Sequence, residues 1–181
     1  MRAQQGTARR YAKALHAAAV EAGAGEATGR ELGAFLALLE GSPQARDALV
    51  RPWIKPADRR ALAQALAEQT GCGALVTRFA GLLADRRRID HLGAIVAAYR
   101  DLVDADLGQI RAQVRAAVAL TEAEKGQLAQ RLQATLGKRV ILEETVDTSF
   151  LGGFVAQVGS LILDGSLDGQ LARMRERLVR G

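Results

Sequence analysis

The fold of the second half of the chain is decided by residues 147–171, which have the sequence DTSFLGGFVAQVGSLILDGSLDGQL. Asp147 and Ser149 have short polar side chains that bond to nearby backbone and begin turns. Residues 153–163 form an apolar run with β-leaning residues, which predicts a strand. Ser166 is placed to accept a backbone N–H as the N-cap of a last helix. The stretch therefore predicts a turn, a strand and a capped helix.

The predicted last helix has an apolar face and several arginines. The apolar residues that recur at helical spacing are Leu167, Leu171, Met174 and Leu178. Because such spacing places side chains on one side of an α-helix, we expect this face to pack on the strand predicted over residues 153–163. The arginines that would then point outward are Arg173, Arg177 and Arg180.

A strand and a helix are predicted upstream of this stretch. Residues 110–118 alternate apolar with polar side chains, which is the pattern of a half-buried strand. Thr121 and Glu124 have the spacing of a capping box, so a helix should begin there. Gly137 is placed to end that helix.

Residues 139–146 have the pattern of another strand, with apolar side chains on one face. We expect this strand to pair with residues 153–163 as a hairpin, through a turn at residues 147–152. The second half of the chain is thus predicted to have the order β-α-β-β-α.

The first half of the chain has helical periodicity throughout. A capping box at Thr28 and Glu31 predicts the start of the second helix, and Ser42 followed by Pro43 predicts the start of the third. The fourth helix should begin near Pro56. The residues predicted to form the apolar faces are Tyr11, Leu15, Ala18 and Ala22 in the first helix, Leu32, Phe35, Leu36 and Leu39 in the second, Leu62, Ala65 and Leu66 in the fourth, Leu75, Phe79, Leu82 and Leu83 in the fifth, and Leu92, Ile95, Val96, Tyr99, Leu102 and Val103 in the sixth.

These patterns predict an α+β protein with two domains. Residues 1–106 form a six-helix bundle, because short connections join helices that are antiparallel neighbours. Residues 107–181 form the small β-α-β-β-α domain. The period of hydrophobicity changes at residues 104–108, which we take as the boundary between the domains.

Motifs at both ends of the chain carry a resemblance to a known family. Residues 8–15 have the sequence ARRYAKAL. The motif near the other end consists of Asp147-x-Ser149, Gly152-Gly153, Gly159, Asp164-x-Ser166, Leu171 and Arg173. In a chain of 181 residues, this combination resembles the delta subunit of bacterial F-type ATP synthase, whose mitochondrial counterpart is the oligomycin-sensitivity-conferring protein. The resemblance covers essentially the whole chain.

The resemblance implies a non-catalytic stator subunit that links the catalytic head to the peripheral stalk, so that rotor torque drives ATP synthesis. It implies that residues 1–106 bind the N-terminal segments of the alpha subunits in the head. Residues 107–181 would bind the b subunit of the stalk, with Arg173, Arg177 and Arg180 facing an acidic stalk segment. The implied location is peripheral, on the cytoplasmic side of the cell membrane.

The first and fifth helices have apolar sectors wider than packing requires. At about 100° per residue, the sector of the first helix covers about 160°, whereas a helix resting on a bundle needs about 100°. One interpretation is that both helices are central in the bundle. The other is that their spare apolar edges form a groove for one amphipathic helix. The candidate residues for binding the head are Tyr11, Ala14, Leu15, Ala18, Val76, Phe79 and Leu83.

No catalytic, cofactor or metal site is predicted from the residues. His16 and His91 have no ligand residues at metal-binding spacing. Cys72 has no array of cysteine or histidine that would activate it. Glu143 and Glu144 are adjacent on a predicted strand, so they point to opposite faces and cannot act together on one bond.

Clusters of glycine and arginine are interpreted structurally. The segment 71–73 lacks the third glycine of a dinucleotide fingerprint and is expected to end a helix. The arginines at 86–88 lack interleaved aromatic residues and are expected to be a solvated helix end. The glycines at 152, 153 and 159 are expected to allow a bend or close strand packing.

Composition leaves one alternative function. The formal net charge of +5 is distributed over both halves of the chain, which permits an acidic partner surface and suggests a basic nucleic-acid-binding module as the alternative. A small-molecule enzyme would need converging polar groups, and none can be nominated. No apolar run approaches the ~18 residues that span a bilayer.

Overall fold

The computed structural model describes residues 2–51, 53–159, 161–167, 169–171 and 174–175. The chain divides into two compact units, Met1–Val103 and Asp104–Gly181. The described part of the first unit is helical, and the second contains a sheet. This confirms the predicted mixture of helix and sheet.

Six α-helices are described from the start of the chain to Asp106. They are α1 (Arg2–Glu21), α2 (Gly25–Gly41), α3 (Pro43–Val50), α4 (Pro56–Gln69), α5 (Ala74–Asp85) and α6 (Leu92–Asp106), with a 3₁₀ turn at Ile89–His91 before the last. The Ser42 hydroxyl accepts a hydrogen bond from the Ala45 backbone N–H and caps α3, as predicted. The predicted apolar faces of α2 and α6 are confirmed, since Phe35 and Tyr99 are fully buried in the core.

The predicted capping box at the start of α2 is wrong. The helix begins at Gly25, and Thr28 is buried inside it. The Glu31 carboxylate instead accepts a hydrogen bond of 2.9 Å from the backbone N–H of Gly73, the N-cap residue of α5. A carboxylate is favourable at this end of a helix because of the unpaired N–H groups and the helix dipole. Glu31 therefore caps a helix that is distant in sequence.

The predicted apolar face of α4 is also partly wrong, because Ala65 is exposed and the buried residues are Arg59, Ala63 and Ala67. Small residues on this face allow close approach to α5, and a Cβ added at Gly81 of α5 would lie 3.1 Å from the Gln64 side chain. The apolar stem of an arginine can pack in such a contact. The buried Nε of Arg59 donates a hydrogen bond of 2.9 Å to the Ala84 carbonyl, near the end of α5.

The second unit has a four-stranded sheet with one described helix beside it. The elements are β1 (Gln109–Ala116), α7 (Glu122–Leu136), β2 (Arg139–Val146), β3 (Phe154–Val158) and β4 (Leu161–Asp164), and the strand order is β2-β1-β3-β4. The predicted capping box of Thr121 and Glu124 is present, and Gly137 ends α7 in a left-handed conformation. The core of this unit contains Ala112 and Leu132.

The predicted hairpin between β2 and the following strand is wrong. Strand β2 pairs parallel to β1, and β3 pairs antiparallel to the other side of β1. A strand-helix-strand unit favours parallel pairing because its connection is long, and α7 provides that connection here. The chain then crosses the end of β1, where the Asp147 N–H donates to the Ala116 carbonyl and the Ala117 N–H donates to the Gly153 carbonyl.

The single strand predicted over residues 153–163 is two antiparallel strands. Val158 of β3 pairs with Leu161 of β4, and Gly159 has a positive φ of 58° at the turn between them. All four residues of β4 are exposed. The described order is therefore β-α-β-β-β, followed by helical backbone at Leu167, 169–171 and 174–175.

The predicted apolar face of the last helix does not pack on the strand. Leu171 and Met174 are 58% and 62% exposed, and Leu167 is also exposed. The reason is that the buried side of β3 is already covered, since Val158 lies in the same core as Leu132 of α7. The fourth residue of the face, Leu178, lies outside the described residues.

Candidate functional site

A groove lies between α1 and α5 on the first unit. Its volume is about 550 Å³. The residues that line it are Arg10, Tyr11, Ala14, Leu15 and Ala18 from α1 and Leu75, Arg78, Phe79 and Leu82 from α5. Apolar side chains thus form most of the wall, which is the chemistry that accepts the apolar face of an amphipathic helix.

The groove exists because the bundle buries only part of the apolar sector of α1. The residues that pack into the core are Ala8, Ala12, Leu15 and Ala19. Of the predicted core face, Leu15 is buried, Tyr11 and Ala18 are half-buried, and Ala22 is exposed, so that prediction is only partly right. Tyr11, Ala14 and Ala18 form a second edge. Because the alanine side chains on that edge are small, they leave space for a partner to approach the backbone of α1.

Aromatic rings of the two helices meet at the groove. The rings of Tyr11 and Phe79 are 6.3 Å apart with an interplanar angle of 67°, an edge-to-face contact. Phe79 is buried, whereas Leu82 on the same helix is 43% exposed. The groove therefore has a fixed aromatic contact and an exposed aliphatic side chain available to a partner.

The structure separates the seven candidate residues into two groups. Tyr11, Ala14, Leu15, Ala18 and Phe79 line the groove. The other two, Val76 and Leu83, are fully buried in the core and do not line it, because they lie on the side of α5 that faces the bundle.

Four further residues line the groove that were not predicted from the sequence to bind the head. They are Arg10, Leu75, Arg78 and Leu82. Leu75 and Leu82 belong to the apolar pattern of α5 and could have been chosen from it. The two arginines gave no periodic signal. Both are exposed, and within the described part of the chain neither makes a hydrogen bond or an ion pair.

The acidic side chains on β2 have structural partners on opposite sides of the sheet. Glu143 accepts a hydrogen bond of 2.7 Å from Arg111. Glu144 accepts hydrogen bonds from the Leu120 backbone N–H and from Lys125, and these bonds hold the pKa of its carboxyl below the usual value. The two carboxylates therefore serve separate ion pairs, as their adjacent positions on a strand predicted.

Cys72 is half-buried between polar groups of its own unit. Burial raises the pKa of the thiol above its ordinary value, against an opposing effect of the hydrogen bond with Thr70. A raised pKa keeps the sulfur protonated and weakly nucleophilic. Among the described residues, no group of three or more His, Cys, Asp or Glu side chains could hold a metal ion.

The signature stretch repeats one local geometry. Asp147 accepts hydrogen bonds from the backbone N–H and hydroxyl of Ser149, at 3.0 and 2.6 Å, and these bonds lower the pKa of its carboxyl. Asp164 accepts the same pair of bonds from Ser166, at 2.9 and 2.6 Å. The Ser166 hydroxyl in turn accepts from the Gly169 N–H, so the predicted N-cap is confirmed. The motif therefore shapes two turns.

Gly153 lies where the two turns meet. Its φ is 79°, and an added Cβ would collide with the Gly165 carbonyl oxygen. An added Cβ at Gly152 would lie 2.7 Å from the Leu167 side chain. The glycines thus permit a bend, as predicted, but the close contact that they allow is with the start of the last helical segment and not with a strand.

Apolar side chains are exposed along the last described part of the second unit. They are Leu161, Ile162, Leu163, Leu167, Leu171 and Met174. Contiguous exposed apolar patches are typical of interaction surfaces, so this region is a candidate for one. The candidate stalk-binding residues Arg173, Arg177 and Arg180 lie outside the described residues. Among the residues that are described, no helix is both long and apolar enough to cross a membrane.

Comparison with known proteins identifies the family. A family model described as ATP synthase delta (OSCP) subunit matches residues 7–178. An ATP synthase subunit delta of Syntrophobacter fumaroxidans is 39% identical over 174 residues, covering 96% of this chain and 95% of the relative. A second, from Anaeromyxobacter sp. (strain Fw109-5), is 42% identical over 171 residues, covering 94% of this chain and 96% of the relative.

A solved structure has a similar fold at low sequence identity. It is a chain of the Toxoplasma gondii mitochondrial ATP synthase hexamer, determined by cryo-EM, with a TM-score of 0.73 and 17% identity. The similarity covers 95% of this chain and 97% of that chain. Since the family model and the bacterial relatives extend over nearly the whole sequence, the chain belongs to the ATP synthase delta (OSCP) subunit family.

Proposed function

We propose that the two units of this chain bind different parts of the ATP synthase, the first unit holding the catalytic head and the second holding the peripheral stalk. Membership of the family makes the chain a non-catalytic stator subunit of the proton-translocating F-type ATP synthase, a membrane-associated complex. Residues 1–106 bind the head and residues 107–181 bind the stalk.

The partner proposed for the groove between α1 and α5 is the N-terminal segment of an alpha subunit. A helical partner is supported by the apolar side chains of both helices that line the groove. An amphipathic helix places apolar residues at positions i, i+3, i+4 and i+7, which match an elongated apolar groove. The residues that would contact it are Tyr11, Ala14, Leu15, Ala18 and Phe79, with Leu75 and Leu82 added by the geometry.

The partner proposed for the second unit is the b subunit. The exposed apolar residues of β4 and of the helical segment after it support this assignment, because they would be costly to leave in water in the assembled complex. Arg173, Arg177 and Arg180 remain candidates for contacts with acidic residues of the stalk. We place the subunit on the cytoplasmic side of the membrane.

The mechanical role needs strong interfaces rather than reactive groups. The rotor turns inside the head, and the stator must keep the head from turning with it. A contact of nanomolar affinity corresponds to about −12 kcal/mol, and a specific interface buries at least about 1,000 Å². The alternative of a basic nucleic-acid-binding module has no support in the family, and the groove walls are mainly apolar.

Changing the exposed apolar surface of the second unit to acidic residues should remove stalk binding. We expect Leu171→Asp/Met174→Asp to weaken binding of the soluble part of the b subunit by more than about 100-fold, because two carboxylates would be buried without partners. Folding should be unaffected, since both side chains are more than half exposed. Titration calorimetry with the full chain measures the affinity.

A matched control is Val20→Asp/Val50→Asp, which adds the same charge at exposed apolar positions of α1 and α3. It should bind the b subunit as the unmodified chain does. Equal weakening by the two double variants would show that charge alone is responsible. Normal binding by Leu171→Asp/Met174→Asp would reject this surface as the stalk-binding site.

A further inference from the structure

We infer that Arg10 and Arg78 select the guest of the groove by its charge, so that the groove accepts an amphipathic helix with acidic residues beside its apolar face and discriminates against a basic one. The inference rests on the proposed function, because it concerns the same groove. The apolar contacts would hold any amphipathic helix, and Arg10 and Arg78 would determine which charge on that helix is preferred.

Arg10 and Arg78 each lie next to an aromatic residue of the groove. Arg10 precedes Tyr11 on α1, and Arg78 precedes Phe79 on α5. Both arginines line the groove, and the rings of Tyr11 and Phe79 are in edge-to-face contact between the two helices. Each helix therefore contributes one cation and one aromatic ring to the same groove.

The described side chains that line the groove carry positive charge only. Among the residues that the structure describes, all the other lining residues are apolar or aromatic, and no acidic side chain lines the groove. Within the described residues, Arg10 and Arg78 have no ion-pair or hydrogen-bond partner in the chain, although several other arginines do. Two cations without a counter-charge beside an apolar surface produce a positive potential at the groove, which attracts an acidic partner.

Arginine side chains are well suited to recognising acidic residues on a bound helix. An arginine guanidinium has donors in a fixed planar arrangement that binds a carboxylate through two hydrogen bonds. A long flexible side chain at the groove can reach a glutamate or aspartate on a bound helix. The same charges repel lysine or arginine, and such repulsion contributes to specificity by weakening the binding of wrong partners.

The test uses two synthetic helical peptides with the same leucine stripe, one with glutamates beside it and the other with lysines. The unmodified chain should bind the acidic peptide about tenfold or more tightly than the basic one, with an association rate that falls as salt is added. In Arg10→Glu/Arg78→Glu the preference should reverse. The control, Arg9→Glu/Arg131→Glu, changes the net charge equally at exposed positions outside the groove and should keep the preference.

The outcomes distinguish this inference from the proposed function. Binding of both peptides with equal affinity, unchanged by the double substitution, would overturn charge selection while leaving the groove as a docking site. Equal reversal by the control would also overturn it, because the effect would then come from net charge. Failure of both peptides and of the alpha subunit segment to bind would reject the groove itself, and this inference with it.

Discussion

Ala14→Asp should abolish tight binding of the alpha subunit segment, with an affinity loss of about 100-fold or more. Ala14 lines the groove and is exposed in the isolated chain. A bound helix would bury the new carboxylate against apolar side chains, which costs a few kcal/mol when no partner is available. Arg10 lies one turn earlier on α1, but an exposed ion pair between the two side chains is worth only about 0.3–0.5 kcal/mol, which offsets little of this cost.

Folding should be almost unchanged by Ala14→Asp, because the site is exposed. The matched control is Ala17→Asp, since Ala17 is also exposed on α1, lies outside the groove, and has Lys13 one turn earlier. Fluorescence anisotropy with a labelled alpha segment gives the affinity, and thermal unfolding gives the stability. Normal binding by Ala14→Asp, or unfolding in place of a binding defect, would favour the interpretation that α1 is simply a central helix of the bundle.

Gly153→Ala should destabilise the second unit by about 3 kcal/mol or more. The φ of Gly153 is 79°, a region that side-chain-bearing residues rarely adopt, and the added Cβ would collide with the Gly165 backbone. The backbone has little freedom to move, because the Leu167 N–H donates a hydrogen bond of 3.0 Å to the Gly152 carbonyl beside it.

Gly159→Ala separates the backbone strain from the collision. Gly159 has a similar positive φ of 58°, but an added Cβ there would meet nothing within 4 Å. Gly159→Ala should lower the free energy of unfolding of the second unit by only about 1–2 kcal/mol. Hydrogen exchange of the full chain compares amides of β1 and β3 with those of α5 and α6. Equal protection losses for the two alanine variants would mean that the close approach at Gly153 is unimportant.

Local signals in the sequence predicted most helix starts correctly. Ser42 with Pro43 and the Thr121–Glu124 capping box act through atoms a few residues apart, so their geometry is nearly determined by spacing. The alternation in β1 was equally clear, because one side of the strand faces a core. The turn residues Asp147 and Ser149 form the hydrogen bonds expected of them.

Contacts between residues distant in sequence account for the errors. Thr28 and Glu31 have the same spacing as the genuine capping box, but Glu31 bonds to Gly73, 42 positions away. No local pattern encodes that partner. The predicted strand pairing was wrong for the same reason. The 147–152 turn is compatible both with a hairpin and with a connection that crosses the end of β1.

The groove could be predicted only in part because helical periodicity gives the width of an apolar sector and not the direction of the core. Both Val76 and Phe79 lie within the sector of α5, yet only Phe79 lines the groove. Which residues of α5 face the core and which face the groove depends on how α5 packs against α4. Small residues and the buried Arg59 form that contact. The arginines of the groove have no periodic signal at all.

We expect one chain to hold the head and the stalk at the same time through separate units. The most direct measurement immobilises the alpha N-terminal segment and asks whether it captures the soluble part of the b subunit only when this chain is added. The account predicts a three-component complex, lost with Ala14→Asp and with Leu171→Asp/Met174→Asp, while each variant retains its other partner. Two results would contradict this expectation. One is competition between the alpha segment and the b subunit for this chain. The other is that the immobilised alpha segment captures the b subunit as well with Ala14→Asp as with the unmodified chain.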